Sequence, residues 1–135
     1  MKNFNNVAEL LGRALISGIF IMAGASKIAG YAGTVAYMES QGVPGALLPL
    51  VIATELGGGL LVLLGLWTRA AAFAVGGFSA LSALLFHANF ADQMQSILFM
   101  KDFAMAGGYL FLVVHGAGPL SLDAWRVRRQ LETTT

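Results

Sequence analysis

Four apolar runs, at residues 7–26, 47–66, 70–87 and 97–116, are separated by short polar or glycine-rich breaks. Each is close to the roughly 20 helical residues that cross a bilayer core of about 30 Å. In lipid the backbone must satisfy its own hydrogen bonds, so the pattern predicts helices. The breaks carry their own signals. "SKIAGYAGTVAYMESQGVPG" is glycine-rich, "WTR" is a tight turn with an interfacial tryptophan, "HANFADQMQS" is polar, and "GAGPLSLD" closes the fourth run. The expected architecture is all-α, an integral membrane four-helix bundle forming one domain, with a short basic tail over 120–135.

Polar positions within the runs are not scattered. Residues spaced i, i+3, i+4 and i+7 share a helix face. In the first run that face holds Glu9, Arg13, Ser17, Phe20, Gly24 and Lys27. In the second, "VIATELGGGLLVLLGL", Glu55 shares a face with Gly58, Gly59 and Val62. In the third, Gly76, Ala80 and Ala83 lead to His87. In the fourth, Lys101, Gly108 and His115 align, with Asp102 beside them. Small residues let helices approach closely in membranes, so these stripes should face inward.

Composition changes the picture in one respect. The chain of 135 residues is 57% hydrophobic and only 11% charged, with a mean hydropathy of +0.73. A soluble domain of this size is usually about 45–50% apolar and about 25% charged, so lipid is the expected solvent. The net charge of +1 gives no electrostatic case for nucleic acid. Cysteine is absent, which excludes disulfides and thiolate chemistry by this chain. Lys2, Arg69, Arg126, Arg128 and Arg129 fall on one side of a four-span chain, with Lys27 on the other. The positive-inside rule then places both termini in the cytoplasm. Lys2, an apolar run and "AGA" mimic a signal peptide, but Glu9 and Arg13 interrupt it.

A carboxylate at midspan costs about 2.5–3.5 kcal/mol on insertion scales and needs a partner. Arg13 is the expected one, because a guanidinium pairs bidentately and stays charged when desolvated; Lys101 is the second choice. Glu55 and Arg13 are therefore the candidate catalytic pair. Lys27, His87, Lys101 and Asp102 are the candidate substrate or quinone pocket. No metal site is expected, because His87 and His115 lie at opposite ends of their runs. The plainer reading is that the Glu55 pair only fixes helix register and that Lys27 snorkels to the interface.

"GRALISGIFIMAGASKI", "ATELGGGLLVLLGLWTR", "LLFHANF" and "GAGPLSLDAW" together resemble the DoxX family of small bacterial membrane proteins, over nearly the whole chain and in order. The resemblance implies four transmembrane helices, residence in the bacterial inner membrane, and a link to membrane oxidoreductase assemblies. It supports fold better than activity. The leading functional expectation is a quinone-linked oxidoreductase subunit or accessory component. No flavin motif or level pair of haem histidines is present, so electrons must come from a partner subunit. Besides the bilayer, a redox partner and self-association are the expected partners. The alternatives are a structural or assembly partner in a membrane complex and a small proton-coupled transporter.

Overall fold

Helix α1, Lys2–Ala29, is followed by a short helix α2, Tyr31–Ser40, and by α3, Gly45–Leu64. Then come α4, Thr68–Phe86, α5, Gln93–His115, and a C-terminal helix α6, Leu122–Thr133. The computed structural model describes residues 1–135. The fold is all-α, and α1, α3, α4 and α5 are long and apolar enough to cross a membrane. Only 21 of 135 residues are buried, so the surplus apolar surface lies outside the bundle. Leu15, Met22, Phe73, Met100, Leu110 and Phe111 all point outward, as expected where lipid replaces water.

Two segments differ from the sequence pattern. The glycine-rich break after α1 contains α2, and the basic tail folds as α6. Neither has the length or apolarity of a span, which is why hydropathy alone passed over them.

Close approach decides how the bundle packs. Gly24 of α1 faces Leu56 of α3 so tightly that a Cβ would lie 2.9 Å from the Leu56 backbone nitrogen. Gly59 of α3 faces Ile21 and the Ser17 carbonyl in the same way. This is the small-residue packing of membrane helices. Across the bundle, Gly76 of α4 receives Tyr109 of α5. Tyr109 is fully buried, stacks edge-on against Phe20 with centroids 5.6 Å apart, and donates its hydroxyl to the Ile16 carbonyl at 2.9 Å. One side chain thereby joins α5, α4 and α1.

The turn between α3 and α4 spans three residues. Gly65, at φ 70°, ends α3. Gly65 N donates to Val62 O at 3.2 Å and Leu66 N to Leu61 O at 2.9 Å, the paired bonds of a Schellman motif. Trp67 is the only non-glycine residue with positive φ, 47°, a conformation uncommon for a bulky side chain. Asp123 at the start of α6 holds it there. Its carboxylate accepts from Trp67 N at 2.8 Å, Thr68 N at 3.0 Å and the Thr68 hydroxyl at 2.7 Å, while Asp123 N donates to Gly65 O at 2.8 Å. The α3–α4 turn and the C-terminal helix are therefore one unit.

Burial pushes the Asp123 carboxyl up, but the hydrogen bonds from Thr68 and Trp67 and the nearby Arg126 charge outweigh it. The group is held below the ordinary carboxylate value. A lowered folded value stabilises the fold above the unfolded value of about 3.9, and that contribution is lost as pH falls through the folded value. Asp123→Ala should lower stability by about 1–3 kcal/mol and remove this part of the acid dependence. Amide exchange at Trp67 and Thr68 reports it; unchanged protection in the variant would contradict the clamp.

Candidate functional site

A cavity of about 180 Å³ lies between the four long helices. It receives Lys27 from α1, Glu55 from α3, Ser79, Ser82 and His87 from α4 and its end, and Lys101 and Asp102 from α5. Five of the six candidate residues thus share one space. Arg13 is elsewhere.

The local fold of α3 explains how Glu55 reaches inward. Over Ala53–Gly57 the helix widens into a π-turn, its backbone bonds spanning one residue more than those of an α-helix. Such turns occur mostly as single bulges inside α-helices, often at functional sites. Glu55 is buried here, with 6% of its side chain exposed. Lys27 Nζ donates to Oε1 at 3.0 Å and lies 2.8 Å from Oε2. The second oxygen has this charge contact but no aligned donor. The Lys27 side chain is 27% exposed, so the pair joins the buried acid to the end of the bundle where α1 finishes.

Opposite this pair, His87 Nε2 lies 3.8 Å from Asp102 Oδ2, an ionic contact only when the imidazole is protonated. His87 Nδ1 is buried without a partner. Ser79 donates to the Asp102 backbone carbonyl at 2.9 Å, tying α4 to α5 at this level. A second cavity of about 160 Å³ adjoins the first and shares Lys27, Glu55, Phe78, Ser82 and His87 with it. Its other walls include Tyr37, Met38 and Phe86, and Tyr37 stacks on Phe86 with centroids 5.6 Å apart. The polar groups therefore sit beside an aromatic and aliphatic surface that opens from α2. No group of three His, Cys, Asp or Glu side chains is placed to hold a metal ion.

The expected pairing of Glu55 with Arg13 is corrected to Lys27. Helices α1 and α3 are antiparallel, which brings Lys27 level with Glu55 and Arg13 level with the end of α3. The last carbonyls of a helix have no partner within it, and the Arg13 guanidinium takes them. Nη1 donates to Leu63 O at 2.9 Å and Val62 O at 3.2 Å, and Nη2 to Leu120 O. Arg13 is 1% exposed, and its Nε has no acceptor. Its contacts make it a strut between α1, α3 and the segment before α6.

The α5 stripe is also corrected. The buried residues are Asp102 and Tyr109, one position beyond Lys101 and Gly108. The bulky tyrosine takes the core against Phe20 and Gly76, which rotates Lys101 and His115 outward. Lys101 is exposed yet still lines the cavity edge. In α1 the buried set is Arg13, Ser17, Phe20 and Gly24, all members of the predicted stripe. Sequence reasoning missed Ser79 and Ser82. Ser79 lies three residues after Gly76 and four before Ala83, so the same helical spacing would have included it. Tyr37, which completes the aromatic wall with Phe78 and Phe86 of α4, has no such signal, because α2 lies in the glycine-rich break between spans.

The DoxX family pattern matches residues 8–88. The chain belongs to the DoxX family. It is 50% identical over 123 residues to the inner membrane protein YqjF of Escherichia coli, covering 91% of this chain and 95% of that one. It is 34% identical over 125 residues to the E. coli inner membrane protein YphA, covering 87% and 89%. CatD of Bacillus subtilis, whose name provisionally makes it an oxidoreductase, is 40% identical over 68 residues, half of each chain. No solved structure matches. With four long apolar helices and these full-length relatives, this DoxX-family chain is a multi-pass inner-membrane protein. The family match ends at residue 88, so it takes in Lys27, Glu55 and His87 but not Asp102.

A buried pair becomes strongly destabilising, by about 3–5 kcal/mol, when one partner is removed, whereas an apolar replacement of both is often neutral. Lys27→Met should therefore destabilise the bundle, and Lys27→Met/Glu55→Met should recover most of the loss. Changes at Arg13 and Glu55 should add independently. Unfolding in mixed detergent measures the two cycles, and coupling of Glu55 to Arg13 instead of Lys27 would contradict the pairing.

Proposed function

We propose that this protein is a quinone-linked component of a membrane redox assembly, with the Lys27–Glu55–His87–Asp102 cavity as the quinone site. The observation that carries the reading is the juxtaposition of polar and apolar walls. A quinone is an apolar ring with two carbonyl acceptors. Lys27, His87 and Ser82 supply donors, and the surface formed by Tyr37, Met38, Phe78 and Phe86 suits the ring and its apolar tail. The partial likeness to CatD is consistent with a redox setting.

Reduction of a quinone to a quinol takes two electrons and two protons. The electrons would come from a partner protein carrying a flavin, haem or iron–sulfur group, and the chain's own residues would manage the protons. Glu55 is the natural donor, since general acid work needs a group within hydrogen-bond reach of the acceptor oxygen. Lys27 orients that carboxyl and connects it to the exposed end of α1. His87 and Asp102 would serve the second carbonyl. Arg13 has no part in this step; its guanidinium is engaged with backbone carbonyls. Both termini belong in the cytoplasm on this reading, as the basic residues suggest, and a reporter fused at Thr135 tests that orientation.

The alternative is an assembly role in which the same pair only registers α1 against α3. One experiment separates them. Wild-type protein extracted in mild detergent should carry quinone into a solvent extract, and His87→Phe should lose it. Glu55→Gln keeps the shape and cannot take up a proton, so it should reach normal abundance, retain quinone and slow quinol formation from an added reductant by about 10²–10⁴-fold, the usual worth of acid–base catalysis. Protein without quinone, or a Gln variant as fast as wild type, would leave the acid as a helix clamp.

A further inference from the structure

At the opposite end of the bundle a larger cavity of about 590 Å³ opens between the start of α4, the end of α5 and α6. Arg69, Arg126 and Gln130 line it, together with Trp67, Val127 and Asp123. We infer that this cavity is a binding site for a phosphate-bearing anion, occupied in the membrane by the headgroup of an anionic lipid.

The charge balance of the lining supports the inference. Asp123 is its one carboxylate against two arginines, so the lining keeps a net positive charge even though Asp123 feels the Arg126 charge, and the carboxylate oxygens are taken up by Trp67 and Thr68. The chain's two ion pairs are Lys27–Glu55 and His87–Asp102, so both cavity arginines keep their charge without a carboxylate partner in contact. Arg69 lies over Gly116, where a Cβ would come within 3.4 Å of its Nε. Arg126 rests against the Trp67 ring, its guanidinium carbon 5.9 Å from the centroid. Guanidinium groups match phosphate oxygens bidentately, and Gln130 adds a neutral donor. By contrast Arg128 hydrogen-bonds Pro119 O and Arg129 stacks on Trp125; neither lines the cavity.

Position supports lipid as the source. The cavity sits at the ends of the spans, at headgroup level. Trp67 and Trp125 are 59% and 48% exposed, as in the aromatic belts of membrane interfaces. Val127 and Leu131 of α6 are exposed beside the arginines, so an apolar surface for acyl chains borders the charged one. An amphipathic helix of this kind lies in the interface plane.

The test is native mass spectrometry of the full chain in detergent, with phosphatidylglycerol and phosphatidylcholine at equal concentration. The wild type should retain phosphatidylglycerol by about tenfold or more over phosphatidylcholine, the scale set by two basic residues near an anionic headgroup. Arg69→Gln/Arg126→Gln should abolish that preference. Arg128→Gln/Arg129→Gln, with the same change of charge, should keep it. Arg126→Gln alone, on the extramembrane α6, gives the same comparison if the double variant does not fold. Retention that withstands millimolar inorganic phosphate upholds the lipid as source. Displacement by phosphate upholds the site with a soluble phosphate as its ligand. No preference in the wild type, or equal loss in both arginine pairs, would overturn the inference.

Discussion

An ionised group in hydrocarbon must find its counter-charge or its hydrogen-bond partners inside the protein, and this bundle is arranged around that constraint. Glu55 lies near the middle of α3, where an unpaired carboxylate would be costly. Its partner, Lys27, comes from the far end of α1. That contact requires α1 and α3 to be antiparallel and close. Gly24 and Gly59 make the closeness feasible, since a Cβ at either would meet the facing helix. The π-turn at Ala53–Gly57 aims the acid into the bundle. Small residues, a helix irregularity and a charge pair are parts of one solution.

The same constraint acts differently at the other end. Arg13 is almost wholly buried, yet no carboxylate pairs with it. It meets the Leu63 and Val62 carbonyl oxygens at the C-terminus of helix α3, and one more from Leu120. Asp123 performs the converse task for amides at the start of α4. Those two residues fix the α3–α4 turn from inside and outside, and they carry the C-terminal helix with them. The polar groups thereby divide into a structural set near the α3–α4 turn and a set around the internal cavity. Arg69 and Arg126 lie beside the first set without an ion pair in contact, which leaves their guanidinium donors for a ligand.

Fold class was legible because span length and helical periodicity are local properties. The face of α1 that carries Arg13, Ser17, Phe20 and Gly24 could be read by counting residues. Partner choice could not. Whether Glu55 meets Arg13 or Lys27 depends on the register of α1 against α3, which glycine contacts set and hydropathy does not record. The Lys101–Asp102 ambiguity has a similar origin. Adjacent residues differ by about 100° around a helix, and it took the volume of Tyr109 to decide which one turned inward. The aromatic wall of the neighbouring cavity joins Tyr37 of α2 to Phe78 and Phe86 of α4, and α2 is too short to be announced by pattern.

The group that neutralises Glu55 in the bilayer determines how α1 and α3 pack and what the cavity between them can do. Solid-state NMR on protein reconstituted in lipid, with ¹⁵N at lysine and arginine side chains and ¹³C at glutamate carboxyls, measures it directly. A strong dipolar coupling between Lys27 Nζ and the Glu55 carboxyl, reflecting the 2.8 Å contact, is the predicted result. Absence of that coupling, with the Glu55 carboxyl coupled instead to an arginine guanidinium, would contradict it.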